Sequence, residues 1–229
     1  MSKRDEGESM KVYIDSCNEE ALSLAEGIGI GITTNPSIVL RDRYGDNLLG
    51  LIQRLANSRI PTIFFQIENL EEEIMKHLDP KRFIIKIPWV VEKYSLATLL
   101  KEKGFRVCAT ATYEISQLVF ALNFDVDYVA FYFDRAERRG IDPRQRLSYF
   151  KQVIDNSREN TKLIVASLKT VQQVIEAIDC GADEVAVPFD VFKEFVKVPE
   201  YVEQDVRRFS EDFRKILSAS SVCDGRTCR

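Results

Sequence analysis

Histidine is almost missing from this chain: of 229 residues only His77 is one, and it lies in the acidic stretch ENLEEEIMKHL. Triads that turn on an imidazole, and metal sites built from several histidines, are thereby nearly excluded. The five cysteines, Cys17, Cys108, Cys180, Cys223 and Cys228, are scattered, odd in number and never spaced C-x-x-C. Neither a disulfide framework nor a zinc cluster is indicated, and they read as reduced thiols. No apolar run approaches the roughly 20 residues a helix needs to cross a bilayer, and the opening MSKRDEGES is polar. A cytoplasmic protein with no membrane partner is therefore expected. G-x-G-x-x-G is absent, which disfavours a dinucleotide fold. The 32 basic and 36 acidic side chains are mixed along the chain, giving a net charge of -4. Without a concentrated basic face, nucleic acid is not expected as a partner.

What is present is a regular alternation. At 45% hydrophobic residues the chain can bury one substantial core. Eight short apolar segments recur: KVYIDS (11–16), GIGIT (29–33), TIFFQI (62–67), FIIKIP (83–88), RVCATA (106–111), YVAFYF (128–133), KLIVAS (162–167) and EVAVPF (184–189). Between them lie helical stretches, with capping boxes read at Ser16/Glu19 and Thr170/Gln173 and stops at Gly27, Gly104 and Gly181. Eight β/α units predict a single-domain (β/α)8 TIM barrel, an all-parallel sheet covered by helices. An additional helix with Val206, Phe209, Phe213 and Ile216 on one face follows, to cover its own barrel or a neighbouring subunit. We assign residues 1–10 to a polar extension, 11–217 to the barrel with its C-terminal helix, and 218–229 to a flexible tail.

In such a barrel the active site is built at the C-terminal ends of the strands. Polar residues cluster there: Asp15 on the first strand, Thr33 and Asn35 after the second, Gln66 on the third, Lys86 on the fourth, Thr110 on the fifth. Tyr132 and Arg135 follow on the sixth, Ser167 and Lys169 on the seventh. Lys86 stands out because alternation places it with Ile84 and Pro88 in a strand buried on both faces, where an unpaired ammonium is costly. A lysine snorkelling to the rim is the plain alternative; an amine nucleophile that attacks a ketone to form an iminium is the one favoured. Asp15 is either a helix cap or, opposite Lys86, a general acid/base. Arg135, Ser167 and Lys169 suit a phosphate monoester, though each also fits a loop or cap. Gln66, Thr110 and Tyr132 share the inward parity and can hold a water for proton transfer, or form an ordinary satisfied network. No cofactor and no metal is expected, since the lysine is itself the electron sink.

These segments, with TTNPSI (33–38) and the lysine of IIKIP the most specific, resemble in order the strand ends of the small transaldolases and fructose-6-phosphate aldolases across roughly residues 11–213. The resemblance implies Lys86 as the Schiff-base nucleophile, Asp15 as acid/base at a substrate hydroxyl and Asn35 as a sugar-hydroxyl partner. Arg135 and Ser167 would hold the phosphate of a small phosphorylated sugar, within a homo-oligomer, a pentamer or decamer. Gln66 and Tyr132 match the aldolases, where transaldolases carry glutamate and phenylalanine. Phe131, Cys108, Ala109, Asp134 and Trp89 depart from the family pattern. The expected activity is cleavage of a ketose such as fructose 6-phosphate to dihydroxyacetone and glyceraldehyde 3-phosphate. Transfer of dihydroxyacetone between sugar phosphates, and a non-catalytic sugar-phosphate binding barrel, are the alternatives.

Overall fold

The computed structural model describes residues 10–157 and 160–222. The polar segment 1–9, Cys223 and Cys228 lie outside the described residues, as does the expected tail from residue 223 onward. Eight parallel strands close into a barrel in sequential order: β1 (Lys11–Asp15), β2 (Ile32–Thr33), β3 (Ile63–Gln66), β4 (Phe83–Pro88), β5 (Arg106–Thr112), β6 (Tyr128–Tyr132), β7 (Lys162–Ala166) and β8 (Glu184–Pro188). Helices α1 (Glu19–Ile28), α2 (Pro36–Arg41), α3 (Leu48–Ala56), α4 (Glu72–Met75), α5 (Tyr94–Glu102) and α6 (Ile115–Asn123) connect the first six strands. They are followed by α7 (Phe133–Glu137), α8 (Pro143–Asn156), α9 (Val171–Asp179), α10 (Phe189–Phe195) and α11 (Glu200–Val222). The expected (β/α)8 barrel is thus the fold found.

The chain divides into two compact units, the first ending at Phe192 and the second beginning at Lys193. In the second, α11 runs to Val222, beyond the helix end expected at 217. Val206, Phe209 and Phe213 on its apolar face are each more than half exposed. Among the described residues no helix is long and apolar enough to cross a membrane.

The strands are apolar on both faces because both are covered. Outward side chains such as Ile14, Ile63, Phe83, Ile85, Val107, Phe131, Val165 and Val185 are fully buried. Inward, Tyr13, Phe64 and Tyr128 form an aromatic layer, with edge contacts of 5.0 Å between Tyr13 and Phe64 and 5.0 Å between Phe64 and Tyr128. Gly31 makes this layer possible: a Cβ there would lie 2.6 Å from the Thr62 carbonyl oxygen and 2.7 Å from the Tyr13 ring. At the N-terminal ends of the strands lies Glu184, 2% exposed, with the Lys162 ammonium 3.5 Å away. Burial raises its carboxyl pKa against the pull of Tyr13 and Lys162.

Local details differ from the sequence reading. Ser16 does not cap α1; Asn18 does, accepting from Ala21 N at 2.8 Å, because the Ser16 hydroxyl is drawn 2.7 Å to Asp42. The helix runs through Gly27 and stops at Gly29, whose φ of 71° takes the left-handed turn. That cap removes residues from the expected strand 29–33, so β2 is only Ile32–Thr33. Thr170 caps α9 through Gln173 N at 3.1 Å, while the Gln173 side-chain oxygen Oε1 accepts from Lys169 N rather than returning to Thr170. Gly104 and Gly181 stand at positive φ just past α5 and α9, as expected.

Candidate active site

At the C-terminal mouth a cavity of about 170 Å³ is lined by Asp15, Asn35, Lys86, Tyr132, Arg135, Ser167 and Lys169 together with Ser37, Ile38, Arg41, Ala166 and Pro188. Four cationic side chains and one carboxylate face it, so its electrostatics favour an anionic ligand. A larger, open groove of about 440 Å³ runs along α6 and α8, but neither a carboxylate nor an amine lines it.

Lys86 is fixed by the β4 ladder between Gln66 and Cys108. The residue is 3% exposed, and its Nζ donates to the Thr34 carbonyl oxygen at 2.9 Å. Thr34 is itself held by its backbone N–H, which donates to Phe64 O at 3.0 Å. Among the described residues no carboxylate lies within ion-pairing distance of Lys86. It does not snorkel.

Asp15, at the end of β1, is 9% exposed and accepts from the Thr33 hydroxyl at 2.5 Å. Burial pushes its carboxyl pKa above the ordinary range; the nearby Lys86 charge and the Thr33 hydrogen bond work against that rise. A carboxyl in this state can hold or surrender a proton close to Lys86, which is what a general acid/base requires. Thr33 lies behind Asp15 rather than on the cavity wall.

Thr110 also lies behind the wall, its hydroxyl 2.9 Å from the Tyr132 phenol. The Arg135 guanidinium sits 4.8 Å from the Tyr132 ring centroid, linking this phenol to the rim cations. Ser167 lines the cavity at φ 60°, a left-handed conformation unusual for a residue with a side chain. Its carbonyl accepts from Asp134 N at 3.0 Å. Asn35 caps α2 through its side-chain oxygen, which accepts from Ile38 N at 3.2 Å, leaving its amide NH2 for the cavity. Gln66 is in register with Lys86, but its amide donates to Glu68 at 3.2 Å and it is not part of the cavity wall.

The departures from the family pattern fall mostly outside the cavity. Phe131 points outward, with its ring 5.3 Å from Phe150 of α8. Trp89 is 1% exposed and packs at a tilt against Tyr94, with ring centroids 4.6 Å apart. Asp134 pairs with Arg138 at 2.9 Å rather than with Arg135. Cys108 lies in the barrel interior next to Lys86, where burial pushes its thiol up to about 12. It therefore offers no competing thiolate at neutral pH.

Arg41, Ser37 and Ile38 were missed from sequence. The signal available was the spacing of Asn35, Ile38 and Arg41, which puts all three on one side of a short helix.

A family model described as Transaldolase/Fructose-6-phosphate aldolase matches residues 67–221, more than half of the chain. The chain is 27% identical over 215 residues to a protein named "Probable transaldolase" from Syntrophomonas wolfei subsp. wolfei (strain DSM 2245B / Goettingen), covering 90% of this chain and 99% of that one. It is 26% identical over 215 residues to a "Probable transaldolase" from Bartonella quintana (strain Toulouse), covering 90% and 97% respectively. With the barrel closed and a buried lysine and aspartate facing one cavity at its mouth, the chain belongs to the transaldolase/fructose-6-phosphate aldolase family.

Proposed function

We propose that this protein is a lysine Schiff-base aldolase acting on fructose 6-phosphate or a related ketose phosphate. The observation that carries the reading is Lys86: buried, without an ion-pair partner among the described residues, and sharing a cavity with Asp15. The Lys86 amine attacks the ketone carbon, and loss of water gives an iminium. Asp15 takes the proton of the hydroxyl on the carbon beyond the bond to be cleaved. That bond breaks with its electron pair drawn into the iminium, glyceraldehyde 3-phosphate leaves, and an enamine remains on Lys86. Protonation of the enamine and hydrolysis release dihydroxyacetone and restore the amine. Tyr132, on the same cavity wall as Lys86, forms with Thr110 a hydroxyl pair that can relay protons in these steps. Arg135, Ser167 and Lys169 hold the phosphate at the rim. Neither a metal nor a cofactor enters these steps.

A second reading is favoured by the names of the two relatives, both called probable transaldolase. In it the enamine is captured by an acceptor aldehyde such as erythrose 4-phosphate instead of a proton. The reading further includes a ring of five or ten copies, with the apolar face of α11 packed on a neighbour.

The test is borohydride reduction in the presence of fructose 6-phosphate, and separately of dihydroxyacetone, followed by peptide mapping. A reduced adduct confined to Lys86, absent from a folded Lys86→Met variant that also loses all turnover, is the expected result. No adduct with either ligand in folded protein sinks the proposal and leaves a sugar-phosphate binding barrel. Product analysis with and without erythrose 4-phosphate separates aldolase from transaldolase.

A further inference from the structure

One cation on the cavity wall has no part in the chemistry above. Arg41 ends α2 and lines the same cavity as Lys86. The strand leading into it, β2, stands four places from β6 around the closed ring, so Arg41 reaches the mouth from the side opposite Arg135. Its guanidinium is anchored by Asp42, with Nε 2.8 Å from Oδ1 and Nη2 3.4 Å from Oδ2. The same carboxylate, 5% exposed, accepts from the Ser16 hydroxyl (2.7 Å), Cys17 N (2.8 Å) and Asn18 N (3.1 Å).

This differs from a surface ion pair, in which the carboxylate is exposed and the arginine is free to swing. Asp42 fastens Arg41 to the turn directly after Asp15. Two of the five guanidinium donors are used, and the others remain for a ligand.

We propose that Arg41 is a specificity-determining residue, a second cationic jaw that grips the substrate phosphate from across the mouth, with Asp42 as its positioning residue. The identity of the substrate in this proposal rests on the Schiff-base reading; the anion-binding role of Arg41 does not. A ketone bound at Lys86 on the floor sends its far end out to the rim, where the Arg41 side chain is 53% exposed. Arg135, Ser167 and Lys169 approach a phosphate there from the β6 and β7 side. The oxygen facing β2 is left for Arg41, whose planar fork suits it.

Two measurements test this. Inorganic phosphate is titrated calorimetrically into wild type, Arg41→Ala and Arg41→Lys. The same proteins are assayed for addition of dihydroxyacetone to glyceraldehyde 3-phosphate and to glyceraldehyde. Arg41→Ala should weaken phosphate binding and lower the preference for the phosphorylated aldehyde about 10-fold, mainly through KM, and Arg41→Lys should recover part of both. Unchanged phosphate binding with an unchanged preference, or an equal loss for both aldehydes, overturns the proposal. The failures are distinguishable: a Lys86 adduct with phosphate binding indifferent to Arg41 removes the jaw alone. Phosphate binding that needs Arg41, in a protein giving no adduct, removes the aldolase alone.

Discussion

Replacing Thr33 by valine would isolate the hydrogen bond that steadies Asp15. The two side chains have nearly the same volume, and Thr33 is 2% exposed, so no cavity opens and the change is confined to the loss of one donor at 2.5 Å from a buried carboxyl. A hydrogen bond to a charged group contributes about 1.5–3 kcal/mol. For a chain of this size that corresponds to a Tm lower by about 3–12 °C.

The pH dependence has a definite sign. Burial already raises the Asp15 pKa above its unfolded value, and the Thr33 hydroxyl opposes that rise. Asp15 therefore favours the folded state below its unfolded pKa, and that contribution is lost as pH rises through the folded pKa. Removing the donor raises the folded pKa further. The Tm deficit of Thr33→Val should accordingly be larger at pH 7 than in acid, where the protonated carboxyl needs the donor less. If Asp15 is the base in cleavage, the acid limb of kcat/KM should move to higher pH in the variant. Thermal melts across pH, with the rate profile of the same samples, check both. A variant with the wild-type Tm and the wild-type acid limb would refute the argument, because the hydroxyl would then contribute nothing to Asp15.

Two other perturbations address the frame of the site. Gly31→Ala drives a methyl into the Thr62 carbonyl and the Tyr13 ring, and should destabilise by about 1–3 kcal/mol, read by chemical denaturation. Asp42→Ala leaves the Ser16 hydroxyl and the Cys17 amide without their acceptor, takes one of the two acceptors of the Asn18 amide, and should cost about 2–3 kcal/mol at pH 7. The Arg41 and Ser16 contacts hold the Asp42 pKa below its ordinary value against burial, so this contribution is present above the unfolded pKa and lost as pH falls through the folded one. The Tm gap between Asp42→Ala and wild type should close in strong acid.

The eight strands were legible because each is an apolar run buried on both faces, bounded by helix signals that composition also carries. Lys86 was legible for the same reason: a charge inside FIIKIP has no surface to reach. Asp42 was not, because its partners Ser16, Cys17 and Asn18 lie 24–26 positions away and no local pattern marks them. The same long-range contact explains the misread cap at Ser16, where a distant carboxylate outcompetes the local amide. Parity placed Gln66 beside Lys86 correctly, but it could not show that the amide turns to Glu68. Phe131 and Trp89 stood out as departures in sequence and prove to be packing residues: Phe131 faces away from its neighbour Tyr132 because adjacent positions on a strand face opposite ways, and Trp89, just past β4, is buried against Tyr94.

The aromatic layer of Tyr13, Phe64 and Tyr128 fills the barrel interior beneath Lys86. These rings lie between the Lys86 floor and the Glu184 end, and each is at most 4% exposed. In the proposed mechanism, solvent protons would reach the enamine on Lys86 from the mouth, past Asp15 or the Tyr132 phenol, which line the same cavity. A reaction run in deuterated water should then deliver the label to a single face of that enamine, so the handedness of the CHD group in the released ketone would be set by a stack of rings on the far side of the lysine.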